Sequence, residues 1–272
     1  KYWYDTQAWL PKNAVIVDLE HAPRNARGMV EYSASFQIAR PADLADASGV
    51  LLYDVPNRGN GAAMPDDDGH IRVISGWQGD IPAAANVQWA KVPTAAGVIG
   101  AAMARFDSVQ GSPNSVAIVS GFGRKEPRPL PVSLDTKKAR LFIERNGQKR
   151  RQLKATEWAF ADCREVPFPG KPDGTQLCLK DGFAPDAAYT LGYIAKDPQV
   201  LGLGFAITRD LVTFLRSGKA DDAGNPNPAG QNIRWTVALG SSQSGNFLRS
   251  FLNLGFNQAD DGAQVFDGVH AN

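Results

Sequence analysis

The chain has 272 residues, which is long enough to bury the core of one large domain or of two small ones. Its formal net charge of +1 gives no strong field that would attract nucleic acid or an anionic membrane, and no apolar run is long enough to span a bilayer. We therefore expect neither nucleic acid nor a membrane as a partner. The first residues are neither a start methionine nor a signal peptide, so we expect that the natural N-terminus precedes them.

The two cysteines, Cys163 and Cys178, flank a loop that is rich in proline and glycine. Two interpretations stay open. A disulfide would close this loop and would be typical of a periplasmic or secreted protein, whereas two unpaired buried thiols would fit a cytoplasmic one. No histidine lies near either cysteine, so the pair does not predict a zinc site.

The first part of the chain contains several β-prone segments. Residues 14–19 and 30–38 are predicted to be strands, and the second of them alternates in polarity. Residues 50–55 form a nearly continuous apolar run, as expected for a strand buried on both faces, and a glycine-rich turn follows Pro56. A further short strand is predicted at residues 71–75.

Residues 82–185 have scattered prolines and glycines, short apolar runs and no helical periodicity. We interpret this segment as a β-rich insertion within a single domain that comprises residues 1–272. Its predicted strands include residues 116–119 and 139–144.

Regular alternation of strands and helices follows the insertion. Strands are predicted at residues 189–195, 233–239 and 265–269, and amphipathic helices at 205–216 and 246–254. This order indicates parallel pairing through right-handed crossovers. We therefore predict an α/β fold with one mostly parallel sheet, which holds these three strands together with residues 50–55 and 71–75.

The junction between the strand at 233–239 and the next helix reads GSSQSG, residues 240–245. A sharp strand-to-helix turn that lifts a serine hydroxyl above the sheet, the nucleophile elbow, needs small residues two positions before and after the serine. Ser242 meets this condition with Gly240 and Ser244, and Gly245 follows, although serine replaces the second flanking glycine. The alternative is an ordinary turn whose serines cap the helix.

An oxyanion hole beside such a serine needs two backbone N–H groups. One is predicted at Gln243, directly after Ser242. The other is predicted in the loop Asn57, Arg58 and Gly59, which follows the early buried strand. A simple glycine-rich turn is the alternative for this loop.

Five segments together resemble the bacterial alpha/beta hydrolase domain-containing proteins, an esterase-like group. They are residues 53–59 (YDVPNRG), 75–80 (SGWQGD), 202–210 (GLGFAITRD), 240–249 (GSSQSGNFLR) and 265–268 (VFDG). The resemblance implies an α/β-hydrolase fold with Ser242 as nucleophile. The resemblance gives no firm substrate, and we expect a small-molecule ester as substrate and no cofactor.

The catalytic acid and histidine of this fold follow the serine along the chain. Only 30 residues follow Ser242, and His270 is the one histidine among them. Its predicted place at a strand end is not where the catalytic histidine normally lies. We therefore expect that the acid and histidine lie beyond residue 272 and that the 272-residue piece is inactive, with His270 as the alternative base.

Four other features of the sequence are candidate binding or structural sites. Trp77 is interpreted as packing, with a substrate contact as the alternative. The segment Gly202-Leu203-Gly204 lacks the third glycine of a dinucleotide site, and the acidic run 66–68 lacks the rest of a calcium loop. Arg209 and Asp210 are expected to form a structural ion pair. Two functions remain: an esterase that works through Ser242, or a non-catalytic scaffold that retains the elbow.

Overall fold

The computed structural model describes residues 2–6, 11–106, 113–120, 126–145 and 147–272. The chain divides into two compact units. The first unit comprises Lys1–Pro93 and Val200–Asn272, and the second unit comprises Thr94–Gln199.

The described residues form nineteen strands, two α-helices and four short 3-10 helices. The strands are β1 Tyr2–Thr6, β2 Val30–Ala34, β3 Phe36–Ala39, β4 Val50–Asp54, β5 Ile71–Ser75, β6 Ala90–Lys91, β7 Ile99–Phe106, β8 Ser115–Ala117, β9 Val119–Ser120, β10 Glu126–Pro127, β11 Arg140–Arg145, β12 Arg151–Gln152, β13 Trp158–Ala159, β14 Ala161–Asp162, β15 Lys171–Pro172, β16 Gln176–Leu179, β17 Ala187–Lys196, β18 Trp235–Gly240 and β19 Gly268–Ala271. The helices are α1 Leu203–Ser217 and α2 Gln243–Asn253, and the 3-10 helices are Pro11–Asn13, Leu19–His21, Leu44–Asp46 and Thr136–Lys138.

A five-stranded mixed sheet in the order β19-β18-β4-β5-β3 organises the first unit. The pairs β19-β18, β18-β4 and β4-β5 are parallel, and β5-β3 is antiparallel. Leu51, Tyr53 and Val73 are fully buried in the central strands, which accounts for their apolar sequences. Because four of the strands run the same way, the loops that follow them lie at one edge of the sheet, where open α/β sheets place their sites.

Both α-helices bury one side in the first unit. Helix α1 buries most of its length, and α2 buries Phe247, Leu248 and Phe251. Phe205 of α1 stacks on Phe247 of α2, with 4.9 Å between ring centroids. Helix α2 ends before Gly255, whose φ of +81° suits a residue without a side chain. Neither described helix combines the length and the hydropathy that crossing a membrane requires.

Two early strand predictions were wrong. Residues 14–19 are not a strand, because the chain there leaves the 3-10 helix Pro11–Asn13 and enters Leu19–His21 through Asp18 in a left-handed conformation, φ 61°. The apolar run in this segment is only partly buried, since Val15 and Val17 are exposed. Residues 30–38 are two strands in different sheets, divided at Ser35.

The prediction that residues 189–195 join the parallel sheet was also wrong. They belong to β17, which lies in a four-stranded antiparallel sheet of the second unit in the order β12-β11-β17-β7. Strand β17 alternates between buried and more exposed residues along its length, which is typical of an antiparallel strand with one covered face. Its position before α1 made it resemble the first strand of a crossover unit.

The second unit spans 94–199, whereas the predicted insertion spanned 82–185. All its sheets within the described residues are antiparallel, and its core surrounds Trp158, Leu141 and Leu191. Cys163 and Cys178 form a disulfide, with 5.6 Å between their Cα atoms. The α/β character predicted for the chain is therefore confined, in the described residues, to the mixed sheet and two helices of the first unit.

Candidate functional site

Four loops meet at the carboxyl edge of the mixed sheet. Asn57 follows β4, Trp77 follows β5, Ser242 follows β18 and Asn272 follows β19. The N–H of Ser242 donates to the carbonyl of Asn272 at 2.8 Å, and the indole N–H of Trp77 donates to the carbonyl of Pro56 at 2.8 Å. Hydrogen bonds thus join neighbouring loops at this edge.

Ser242 has the backbone conformation φ 57°, ψ −118°, between the end of β18 and the start of α2. This region of the backbone map is costly for a residue with a side chain, and residues held in it cluster at functional sites. The side chain is exposed and makes no capping hydrogen bond to the helix. The structure therefore disfavours the alternative in which this serine only caps the helix.

The residues around Ser242 are small because the strand and the helix approach each other closely. A Cβ atom on Gly240 would lie 2.7 Å from the carbonyl oxygen of Ser244 and 2.9 Å from Leu248. A Cβ atom on Gly245 would lie 2.3 Å from the carbonyl oxygen of Asn272. All three distances are shorter than real Cβ contacts, so these positions require glycine unless the backbone moves.

Ser244 is buried, and its hydroxyl donates to the side-chain oxygen of Asn57 at 2.8 Å. The same Asn57 oxygen accepts the N–H of Ser244 at 3.1 Å, and the Asn57 amide donates to the carbonyl of Ser241 at 3.2 Å. Asn57 therefore clamps the elbow on both sides of Ser242. The hydroxyl of Ser244 is therefore buried and engaged, whereas Ser242 is exposed.

The two predicted sources of oxyanion donors differ in this structure. Within the described part of the chain, the N–H of Gln243 donates to no protein acceptor, so it is available to a ligand beside Ser242. The N–H of Arg58 is instead occupied by the side-chain oxygen of Gln78 at 2.8 Å. Gly59 packs against Gln88, whose carbonyl oxygen would lie 2.4 Å from an added Cβ. The structure thus brings Asn57 to the elbow and turns Arg58 and Gly59 toward other partners.

A family model described as alpha/beta hydrolase domain matches residues 5–272, nearly the whole chain. The chain belongs to the alpha/beta hydrolase domain family. No curated protein and no solved structure matches it. Membership in this family indicates a hydrolase in general terms.

In this alpha/beta hydrolase domain, Trp77 forms part of an aromatic group beneath the elbow. Its ring lies 4.3 Å from that of Phe247 on α2, and it is half-buried. A Cβ atom on Gly204 would lie 2.2 Å from the Trp77 carbonyl oxygen, so Gly204 allows α1 to approach this loop. Trp77 is thus held by packing against Phe247 and by the hydrogen bond from its indole N–H to the carbonyl of Pro56.

A hydrolase that uses Ser242 needs a base, and none of the described hydrogen bonds joins a histidine to its hydroxyl. His270 lies on β19, paired in register with Leu239, and its side chain is exposed. His70 precedes β5, at the amino edge of the sheet and therefore at the opposite end from Ser242. His21 closes a 3-10 helix and lies 3.8 Å from Glu20.

Asp66, Asp68 and His70 are the described side chains that come close enough together to hold a metal ion. Arg72 lies 3.7 Å from Asp66 and would compete with a cation. Burial alone would raise the pKa of Asp66, but hydrogen bonds and charge from His70 outweigh it and lower the pKa. Because this group lies at the amino edge of the sheet, it takes no part in the elbow.

Proposed function

We propose that the protein is a carboxylic-ester hydrolase that works through an acyl-enzyme on Ser242. The observation that carries this proposal is an exposed serine in a strained conformation between a parallel strand and a helix, without a capping bond. Membership in the alpha/beta hydrolase domain family supports the hydrolytic class.

The reaction proceeds in two steps. The Ser242 oxygen attacks the ester carbonyl carbon while a base takes its proton, and the tetrahedral oxyanion then collapses and expels the alcohol, which takes up that proton. Water attacks the acyl-enzyme in the same way and releases the carboxylic acid and free Ser242. The N–H of Gln243 supplies one donor to the oxyanion. The loop Asn57 to Gly59 is proposed for the second donor, and the Arg58 N–H could serve only after leaving the side-chain oxygen of Gln78.

The proposal assigns the base to a histidine oriented by a carboxylate, as the chemistry of serine requires. No histidine is among the described hydrogen-bond partners of Ser242, and His270 is the alternative base.

The second candidate function is a non-catalytic scaffold or binding protein. The side chain of Asn57 favours this second function, because its three hydrogen bonds to Ser241 and Ser244 would stabilise the turn even in a protein that catalyses no reaction. A scaffold, however, would not need a strained and exposed Ser242 where an unstrained residue would serve. We therefore rank hydrolysis first.

The test is turnover of short-chain nitrophenyl esters by the gene product expressed to its natural stop codon. Ser242→Ala is expected to lower kcat by at least about a thousandfold. Ser241→Ala is the matched control, because this neighbour is also exposed and its hydroxyl makes no described hydrogen bond. Turnover that survives Ser242→Ala contradicts the proposal, and absence of turnover in the wild type on a broad ester panel favours the scaffold. Loss in His270→Ala would identify the alternative base.

A further inference from the structure

One face of the four-stranded sheet of the second unit is open to solvent. Leu191 of β17 pairs with Ala104 of β7 on one side and with Leu141 of β11 on the other. All three side chains are buried, so they mark the covered face of the sheet. Since side chains alternate along a strand, the residues between them point to the opposite face. We call that opposite face the outer face.

The outer face carries large apolar side chains in adjacent rows. Ile194 of β17 pairs with Ala101 of β7, and the extended segment 130–132 runs along the other side of β17. Its Val132 N–H donates to the carbonyl of Ile194, and the Lys196 N–H donates to the carbonyl of Leu130. Five large apolar residues therefore lie together, each at least 46% exposed: Ile99, Met103, Leu130, Val132 and Ile194.

The space above this patch is empty in the described structure. A Cβ atom added at Gly192, which pairs with Met103 on this face, would meet no atom within 4 Å. A contiguous exposed apolar patch with a polar rim is typical of an interaction surface rather than of ordinary protein surface.

The charged residues of the outer face are mainly cations. At the outward positions of β7, β11 and β17 stand Arg105, Arg140 and Lys196, with Glu144 as the one carboxylate. Glu144 lies 3.9 Å from Arg105, which leaves the other two cations beside the apolar patch. The second unit as a whole has sixteen Lys and Arg against eleven Asp and Glu, a balance of +5, while the rest of the chain has thirteen against seventeen, a balance of −4.

We propose that the outer face binds an anionic lipid surface. Such a surface offers negative headgroups to the cations and an apolar layer to the exposed side chains at the same time. A second copy of the chain fits less well, because a twofold contact through this face would place its cations against one another. Nucleic acid fits less well, because the ring of Phe142 is covered by Arg150, at 4.1 Å, and offers no stacking surface.

Vesicle binding tests this inference independently of hydrolysis. The 272-residue protein is expected to co-sediment with vesicles of equal parts phosphatidylcholine and phosphatidylglycerol, less with phosphatidylcholine alone, and less at high salt. Met103→Gln combined with Ile194→Gln is expected to lower the partition coefficient at least about tenfold. Met64→Gln, which changes a similarly exposed methionine in the first unit, is the matched control and is expected to bind as the wild type does.

Three outcomes would overturn the inference. They are wild-type binding that does not depend on phosphatidylglycerol, an equal loss in Met64→Gln, and a dimer in solution that the Met103 and Ile194 changes dissociate. The vesicle and salt comparisons use only the wild type, so they decide the question even if the double variant does not fold.

Discussion

At the scale of single residues, the site depends on how closely β18 and α2 approach each other. The requirement for small residues around Ser242 could be predicted from the sequence, because it follows from local geometry. The clamp by Asn57 could not, since this side chain and Ser244 are 187 positions apart and meet only in the folded sheet. The engagement of Arg58 by Gln78 likewise depends on tertiary packing that no local pattern encodes.

Gly240→Ala is expected to destabilise the protein by about 1–3 kcal/mol, because the new Cβ would overlap the backbone of Ser244. The measurement is the free energy of unfolding in urea. Gly268→Ala on the adjacent strand is the control, since its added Cβ would meet its nearest atom, a methyl of Val237, at 3.5 Å. Equal effects of the two changes would mean that the elbow is not tightly packed.

At the scale of elements, the sequence predicted the apolar strands β4, β5 and β18 of the mixed sheet and the helices whose apolar stripe is clear. It failed for residues 14–19, an apolar run that is exposed at Val15 and Val17 and forms no strand. It also assigned β17 to the wrong sheet, although the strand alternates as expected for a sheet with one covered face. Sequence proximity to a helix does not reveal which sheet a strand joins, because that choice is made by pairings with distant strands such as β7 and β11.

Asp267, directly before β19, links β18 to α1 in the first unit, and its stabilising effect should depend on pH. Its carboxylate accepts the N–H of Thr236 on β18 at 2.8 Å and lies 2.9 Å from the guanidinium of Arg216 on α1. Burial alone would raise the pKa of Asp267, but these donors outweigh it and lower the pKa. A lowered folded-state pKa gives stability that is present above the ordinary pKa of about 4 and is lost as the pH falls through the folded value.

Asp267→Asn is therefore expected to cost about 1.5–3 kcal/mol at pH 7, since it removes charge-assisted hydrogen bonds. It should also reduce the loss of stability between pH 7 and about pH 3. Urea titrations across this range measure both effects. Asp222→Asn, at an exposed position, is the control. If Asp267→Asn lost as much stability as the wild type between pH 7 and about pH 3, this carboxylate would not be responsible for the acid sensitivity of the protein.

At the scale of the whole molecule, the overall charge conceals a difference in charge between the two units. The net charge of +1 is the balance of a basic second unit and an acidic remainder, so the expectation of no membrane partner rested on an average. The open question of the cysteines is answered by the pairing of Cys163 with Cys178. Family membership extends over nearly the whole chain, and it indicates the hydrolase class without a substrate.

The disulfide is expected to stabilise the second unit by about 3 kcal/mol, the entropic effect of closing a loop of this length, since the cysteines are 15 positions apart. A reducing agent should therefore lower the urea concentration at which proteases cleave within residues 94–199. The double variant Cys163→Ala, Cys178→Ala should not respond to the reductant. If titration showed two free thiols after reduction and the cleavage midpoint were unchanged, the disulfide would have no stabilising role.

The most direct test of Ser242 as nucleophile is to locate the adduct of a fluorophosphonate probe by peptide mass spectrometry. In the gene product expressed to its natural stop codon, the probe is expected on Ser242, to be absent from Ser242→Ala and to be retained in Ser241→Ala. An adduct on Ser244 or another residue, or labelling that persists in Ser242→Ala, would contradict the central claim.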